Sequence, residues 1–305
     1  MARKAYIEGV ETLNNKWSSR LADAAVVSML IIAGVVTILP FLYILVISFT
    51  DPSEYIRTAG LILIPEKWSL INYQYLLSTN TFIRAMGNSA FLATVGTVLS
   101  LAVTSSFAYA LSRKRLMGRK VMLMLIVIAM LFNPGIIPPY LLVKNLGLIN
   151  SMWALIIPVL TTAYYTFLMK SFYDSIPPGL EEAANIDGCN DLGIWMRVIL
   201  PISLPSLAAF GLFYAVAYWN VFFSAILYLN DFKKWPLQVL LQHMLIDSST
   251  SVGGELAQQI SSEQTLPQET LKMAAVIVAT VPIIMVYPFL QKHFAKGVMV
   301  GSVKE

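Results

Sequence analysis

The chain has 305 residues, of which 57% are hydrophobic and only 12% charged, about half the charged share of a soluble domain. That apolar surface exceeds what one water-soluble core of this size can bury, so the composition indicates an integral membrane protein. The net charge of +4 is not a nucleic-acid signal, because the basic residues sit in short segments between apolar runs and form no clustered stripe.

The N-terminus carries Arg3, Lys4, Lys16 and Arg20 before an uncharged run of 26 residues from Ala24 to Phe49. The run is too long for a signal-peptide core and no A-x-A cleavage pattern follows, so it reads as a first span retained in the mature protein. Further uncharged stretches cover Ala85 to Ser112, Val121 to Val143, Asn145 to Met169, Val198 to Asn230 and Met273 to Gln291. Each can hold the ~20 residues that a spanning helix needs. In the fifth, Pro201 and Pro205 place the helix from about Ser206 onward. With the N-terminus inside, the inner segments hold 14 of the 21 Lys and Arg residues, as the positive-inside rule requires. The 113–120 loop, with Arg113, Lys114, Arg115, Arg119 and Lys120, contributes most and is a topological anchor. The sequence therefore predicts an all-α membrane protein with six spans and both termini cytoplasmic. A cytoplasmic segment 1–23 precedes a membrane domain 24–291, and a cytoplasmic tail 292–305 follows it.

Two outer segments are long. Asp51 to Arg84 joins spans one and two. Asp231 to Lys272, rich in Ser, Gln and Glu, joins spans five and six and is either a solvated loop or a docking surface for an external partner. Pro134, Pro138 and Pro139 interrupt the third stretch and free backbone groups that a kink or a gate must satisfy.

No Asp, Glu, Lys, Arg or His lies within the six stretches. Intramembrane ionisable groups mark proton relays and ion-coupled pumps, so a proton-driven carrier and an aspartyl intramembrane protease are disfavoured. HExxH, GxSxG and P-loop signatures are absent from the sequence. A single cysteine, Cys189, excludes an intrachain disulfide and a CxxC metal site; His243 and His293 are too few for a histidine-rich one. No catalytic or metal-binding residue is assigned. Any energy for uphill transport enters from outside the membrane domain, which directs attention to the inner loops.

The inner loop 175–201, between spans four and five, carries the strongest motif. Pro177 and Pro178 end the preceding structure and open a short helix. Glu181 and Glu182 fall in its first turn, at the positive end of the dipole. Ala183 and Ala184 give a small, flat face that another protein could grip, and Gly188 terminates the helix. Asp191 can cap a second short helix leading to Leu200 and Pro201. Taken alone, this is better explained by an ordinary amphipathic surface helix in a connecting loop.

The spacing adds to that. Glu182-Ala183-Ala184, three residues, Gly188, nine residues, Val198, one residue, Leu200-Pro201 resembles the EAA loop of ABC importer permeases, EAA-x3-G-x9-I-x-LP, with Val198 in place of Ile. Asn145-Leu-Gly-Leu-Ile-Asn150, Tyr218-Trp219-Asn220 with Phe222-Phe223, and the C-terminal Gln291 to Ser302 resemble the carbohydrate-uptake, maltose-type (MalG-like) branch. Leu141-Leu-Val-Lys-Asn145 and Trp235-Pro-Leu-Gln238 look most like the LplC/YtcP group within it, which is linked to oligosaccharides from complex polysaccharides. The resemblance covers roughly residues 24 to 305.

The resemblance implies a type I ABC importer permease fold and a role as the membrane subunit of an ATP-driven oligosaccharide importer in the bacterial cell membrane. It implies that Glu181, Glu182, Ala183, Ala184, Asp187, Gly188, Leu200 and Pro201 form the coupling site for the ATPase. It also suggests that the fifth span lines the pathway. Tyr214, Tyr218, Trp219, Asn220 and Phe223 are the candidates there, since aromatic faces stack on sugar rings and an amide bonds sugar hydroxyls; helix packing is the competing role. The implied partners are a second, homologous permease, two cytoplasmic ATPase subunits that bind ATP and Mg, an extracytoplasmic sugar-binding protein, membrane lipid and the oligosaccharide, with no nucleic acid. The chain itself needs no cofactor. A secondary carrier and an ABC importer for a non-sugar solute are the alternatives.

Overall fold

A computed structural model describes residues 2–58, 62–132, 134–246 and 267–297. Among these residues there are helices and no strand; one isolated β-bridge joins Thr50 and Trp68. This is what hydrocarbon demands, since a helix satisfies its own backbone N–H and C=O groups where no water can. The chain divides into two compact units, residues 1–72 with 266–277 and residues 73–265 with 278–305.

In the first unit, helix α1 (Ala2–Ser48) contains the apolar span Ala22–Ser48. From Val26 to Leu42 its Leu, Ile, Val and Met side chains are all exposed, Met29 at 74%, the pattern of a helix solvated by lipid. Helix α2 (Pro52–Arg57) starts with Pro52 behind Asp51, whose carboxylate accepts from Ser53 N at 2.9 Å. Hydrogen bonds from the Ser53 hydroxyl and then its amide hold the Asp51 carboxyl below its usual pKa. Glu54 is buried, and its two oxygens accept from Glu66 N and Lys67 N, each at 2.9 Å, folding the return segment over α2. Asn72, also buried, donates to Ser48 O at 3.2 Å and accepts from Thr270 Oγ1 at 3.0 Å.

Helix α3 (Ile71–Ser78) leads into the second unit. There follow α4 (Asn80–Ser112), α5 (Arg119–Leu131), α6 (Ile137–Asn145), two 3-10 turns (Met152–Leu155 and Ile157–Val159), α7 (Ala163–Asp174), α8 (Gly179–Ile186), α9 (Asp191–Ile202), α10 (Leu204–Trp219), α11 (Phe223–Tyr228) and α12 (Leu237–Ile246). Helix α13 (Gln268–Gly297) closes the described chain.

Among the described residues three helices are long and apolar enough to cross a membrane: the α1 span, α4, and Gln268–Val286 of α13. Two bent pairs raise the number to five if each is one span: the Met152–Val159 turns with α7, bent by 48°, and α9 with α10, bent by 84°. The third uncharged stretch is no single long helix. Its helix α5 ends at Leu131, and 13 residues reach only ~20 Å. Pro134, Pro138 and Pro139 follow, and α6 restarts with prolines at its first turn, where their missing N–H groups cost nothing. The fifth helix begins at Leu204, two residues before the predicted start, because Pro205 fits its first turn as well.

Helices α4, α7 and α10 are stitched by hydroxyls. Ser100 meets Tyr218 OH at 2.8 Å, Thr104 meets Tyr214 OH at 2.7 Å, and Ser105 meets Tyr173 OH at 2.7 Å. Apolar burial does not drive helices together in lipid, so such bonds and close packing must. The closest packing is at Gly96, within a π-helical turn of α4 (Leu92–Gly96), where a Cβ would stand 2.7 Å from the Tyr218 ring.

Candidate functional site: the loop helix and the fifth span

Helix α8 is a built element. Pro178 occupies its N-cap position and Glu181 and Glu182 its first turn. Its C-terminus is a full Schellman closure: Gly188 takes φ 82°, Gly188 N bonds Asn185 O and Cys189 N bonds Ala184 O, both at 3.0 Å. The next cap is Asn190, whose side chain accepts from Gly193 N at 2.8 Å, and not the predicted Asp191. Asn190 has the extended backbone that an N-cap needs, which leaves Asp191 as the first helical residue, free to face Arg115.

Neighbouring candidates in α8 face opposite ways. Ala184 is 7% exposed and packs with Tyr173, Ile194 and Ile199. Glu181 turns inward to an ion pair with Arg113, with both side chains largely covered. Glu182, Ala183 and Asp187 are exposed. The two alanines therefore do not form one flat face. The bare face has instead a large apolar residue, Ile186, 86% exposed. Sequence reasoning missed Ile186, although its spacing of three and four residues from Ala183 and Glu182 puts it on their side of the helix.

Arg113 is fixed from three sides. Its Nε donates to Ser112 Oγ at 2.9 Å, its guanidinium lies 4.6 Å over the Tyr109 ring, and Glu181 takes the remaining charge. Burial lowers its pKa from the usual guanidinium value, yet arginine stays protonated. Leu200 and Pro201 lie at the end of α9, just before the bend into α10. At that bend Ser203 donates from both N and Oγ to Ile199 O, at 3.0 and 2.6 Å, and Pro201 and Pro205 bracket it without N–H groups of their own.

The five fifth-span candidates separate as clearly. Tyr214, Tyr218 and Trp219 are 3%, 4% and 8% exposed, and each has a hydrogen-bond partner. The tyrosines bond α4, and Trp219 Nε1 donates to Ala279 O at 3.1 Å. Asn220 and Phe223 are exposed. Asn220 caps α10, donating to Val216 O at 2.9 Å, and its Oδ1 accepts from Gln238 Nε2 at 3.2 Å. Gln238 had no signal of its own in the sequence. The start of the outer loop is held by Asn88, which donates to Lys233 O at 3.0 Å and Trp235 O at 3.1 Å. Residues 247–266 of that loop and 298–305 of the C-terminal segment lie outside the described residues.

The geometry is therefore a helical membrane domain with a short loop helix, packed on one side and exposed on the other. The profile of the family described as "Binding-protein-dependent transport system inner membrane component" matches residues 102–300. The chain belongs to this family, as the EAA resemblance implied. It is 45% identical over 286 residues to the polygalacturonan/rhamnogalacturonan transport system permease protein YtcP of Bacillus subtilis, covering 94% of this chain and 99% of the relative. It is 43% identical over 296 residues to Protein LplC of the same organism, covering 97% and 99%. Among solved structures, a bacterial ABC transporter involved in import of the acidic polysaccharide alginate matches with TM-score 0.83 and 32% identity, over 91% of this chain and 98% of that one. The chain is a multi-pass ABC importer permease of the bacterial cell membrane.

Proposed function

We propose that the chain carries oligosaccharides released from a complex polysaccharide, by alternating access driven by ATPase subunits that dock on α8. Support for the substrate comes from the polymers named for YtcP and for the alginate transporter. Support for the docking comes from one observation above all: Glu182, Ala183, Ile186 and Asp187 stand bare on a helix whose other face is anchored. Each bent pair counts as a span, and α5 with α6 completes the sixth, which leaves α8 and both termini in the cytoplasm as the 113–120 basic loop requires.

In the cycle, ATP binding closes two ATPase subunits and draws α8 with them. The spans rock from inward-open to outward-open, and an extracytoplasmic binding protein delivers the sugar. Hydrolysis resets the cycle. ATP and Mg belong to the ATPase, since this chain has no P-loop. A second, homologous permease supplies the other wall of the pathway. On this side of it Asn220 and Phe223, with Gln238, offer amide and aromatic contacts to a sugar, while Tyr214, Tyr218 and Trp219 hold the wall together.

Purification of the tagged chain from native membranes in mild detergent, with mass spectrometry of what co-elutes, tests this. An ATPase and a second permease are the expected companions. A chain that elutes alone, or that transports in liposomes without ATP, refutes the reading.

A further inference from the structure

Two arginines of the loop after α4 each meet an acid near α8. Arg113 pairs with Glu181, and Arg115 with Asp191. The pairs differ in kind. The side chains of Arg113 and Glu181 are 16% and 17% exposed, whereas those of Arg115 and Asp191 are 57% and 63% exposed. A solvated pair contributes little. A sheltered pair, once one member is removed, leaves a charge with no compensation.

Both arginines and Asp191 line a cleft of about 540 Å³, together with Tyr109, Met117 and Trp195. The exposed pair therefore spans an open seam that Arg113 also borders, whereas Glu181 does not line it and its Oε1 is buried. Through Glu181, Arg113 joins α8 to the end of α4. Along the same helix, Ser105, Thr104 and Ser100 bond Tyr173 of α7 and Tyr214 and Tyr218 of α10. Glu181 and Glu182, ~100° apart around the helix, thus face different bodies: one its own permease, the other solvent.

We propose that Arg113 is a positioning residue for energy coupling. With Glu181 it clamps α8 to α4, so that a displacement of α8 moves α4, and α4 passes the motion to α7 and α10 through its three hydroxyl bonds. The clamp rests on the reading of α8 as the ATPase-docking helix. It gives Arg113 a task beyond fixing topology, and it gives Glu181 a partner within its own chain.

The test uses the whole importer, with ATPase, second permease and binding protein, in proteoliposomes. The probe is a labelled partial digest of polygalacturonan, which the parent complex must transport. Two quantities are read: ATPase retained through purification, and sugar moved per ATP hydrolysed. The R113Q/E181Q double variant leaves no unpaired charge. It is expected to retain the ATPase and lose about tenfold in sugar per ATP, and the charge swap R113E/E181R is expected to regain most of that loss. R115Q/D191N is expected to change the ratio by no more than about threefold. A parental ratio in R113Q/E181Q overturns the clamp. If that variant does not assemble, R113K keeps the charge but loses the fork and the stacking on Tyr109; a parental ratio there overturns the clamp equally. E182R reports on the docking helix itself and is expected to lose the ATPase. If E182R keeps the ATPase and transports normally, both readings fail, whereas parental coupling in R113Q/E181Q alone removes only the clamp.

Discussion

Gly96→Ala should destabilise the permease although it replaces a helical glycine with the best helix former. The added Cβ would lie 2.7, 2.8 and 2.9 Å from three atoms of the Tyr218 ring. Those are ring atoms of a side chain 4% exposed, whose hydroxyl is held by Ser100 at 2.8 Å. The ring cannot swing aside without breaking that bond and disturbing Tyr214 beside it. Overpacking of this kind costs about 1–3 kcal/mol, and the lost interhelical bond adds about 0.6 kcal/mol. The gain in helix propensity, about 1 kcal/mol, offsets part of this. The net loss is about 0.6–2.6 kcal/mol, a fall in Tm of roughly 2–8 °C for a chain of this size. Gly87 on the same helix is the control, because a Cβ there meets nothing within 4 Å. Thermal unfolding of both variants in one detergent, followed by size-exclusion chromatography, is the assay. If Gly96→Ala melts with the parent or above it, as Gly87→Ala should, then α4 and α10 are not in the close contact described here.

Ile186→Asp should leave membrane insertion intact and release the ATPase on purification. Burial of one isoleucine in a docking groove is worth about 2 kcal/mol, so retention of the ATPase at parental salt and detergent would refute a docked α8 face. Trp219→Ala should lower the yield of assembled, heat-stable complex before it affects transport, since loss of a buried indole costs about 3–5 kcal/mol. Asn220→Ala should do the reverse, with normal assembly and weakened uptake; the opposite ranking would put Trp219 in the pathway. In the first unit, the Asp51 cap lowers its own carboxyl pKa, so its contribution is present at neutral pH and is lost as pH falls through that lowered value. Limited proteolysis of the 51–72 segment should accelerate in acid for the parent and lose that pH dependence in Asp51→Asn; an unchanged acid dependence would rule out the cap as its source.

What was legible in the sequence was legible through spacing. The EAA loop marks a helix, its end at Gly188 and a new helix start among Pro201 and Pro205 by local rules alone, and the chain folds there much as those rules require. Its division into two faces was not legible. Whether Glu181 or Glu182 turns inward depends on Arg113, 68 positions earlier in the chain, and on what packs over Ala184. The aromatic crowd of the fifth span was visible, but an apolar stretch does not say which rings are inside. The partners that decide it are Ser100 and Thr104 of α4, hydroxyls spaced by one helical turn in a run otherwise read only for its lack of charge. In the third stretch the interruption was legible from Pro134, Pro138 and Pro139, and the helix breaks there. Absence of charge measures tolerance of lipid, whereas prolines decide whether the backbone remains one helix.

The lack of intramembrane charge and the use of hydroxyl bonds are two sides of one requirement. A carrier driven by protons needs ionisable groups at the midplane and must bear the cost of burying them. A permease moved from outside needs interhelical links that hold a wall together yet can exchange partners as helices slide. Hydroxyl bonds in membranes are worth only about 0.6 kcal/mol each, close to RT, and Thr104 already meets both Tyr214 OH at 2.7 Å and Thr161 Oγ1 at 3.0 Å. Thr161 in turn reaches Thr166 at 2.7 Å, so a ladder of alternative acceptors lies along the α4–α7–α10 contact. A sliding helix can trade one rung for the next without stranding a buried polar group. On the proposed mechanism the strong, charged link belongs at the end of α4, where the motor pulls, and the exchangeable links belong in the spans, where they hand the motion on while the helices adjust; the Arg113–Glu181 pair and the three hydroxyl bonds are placed in that order.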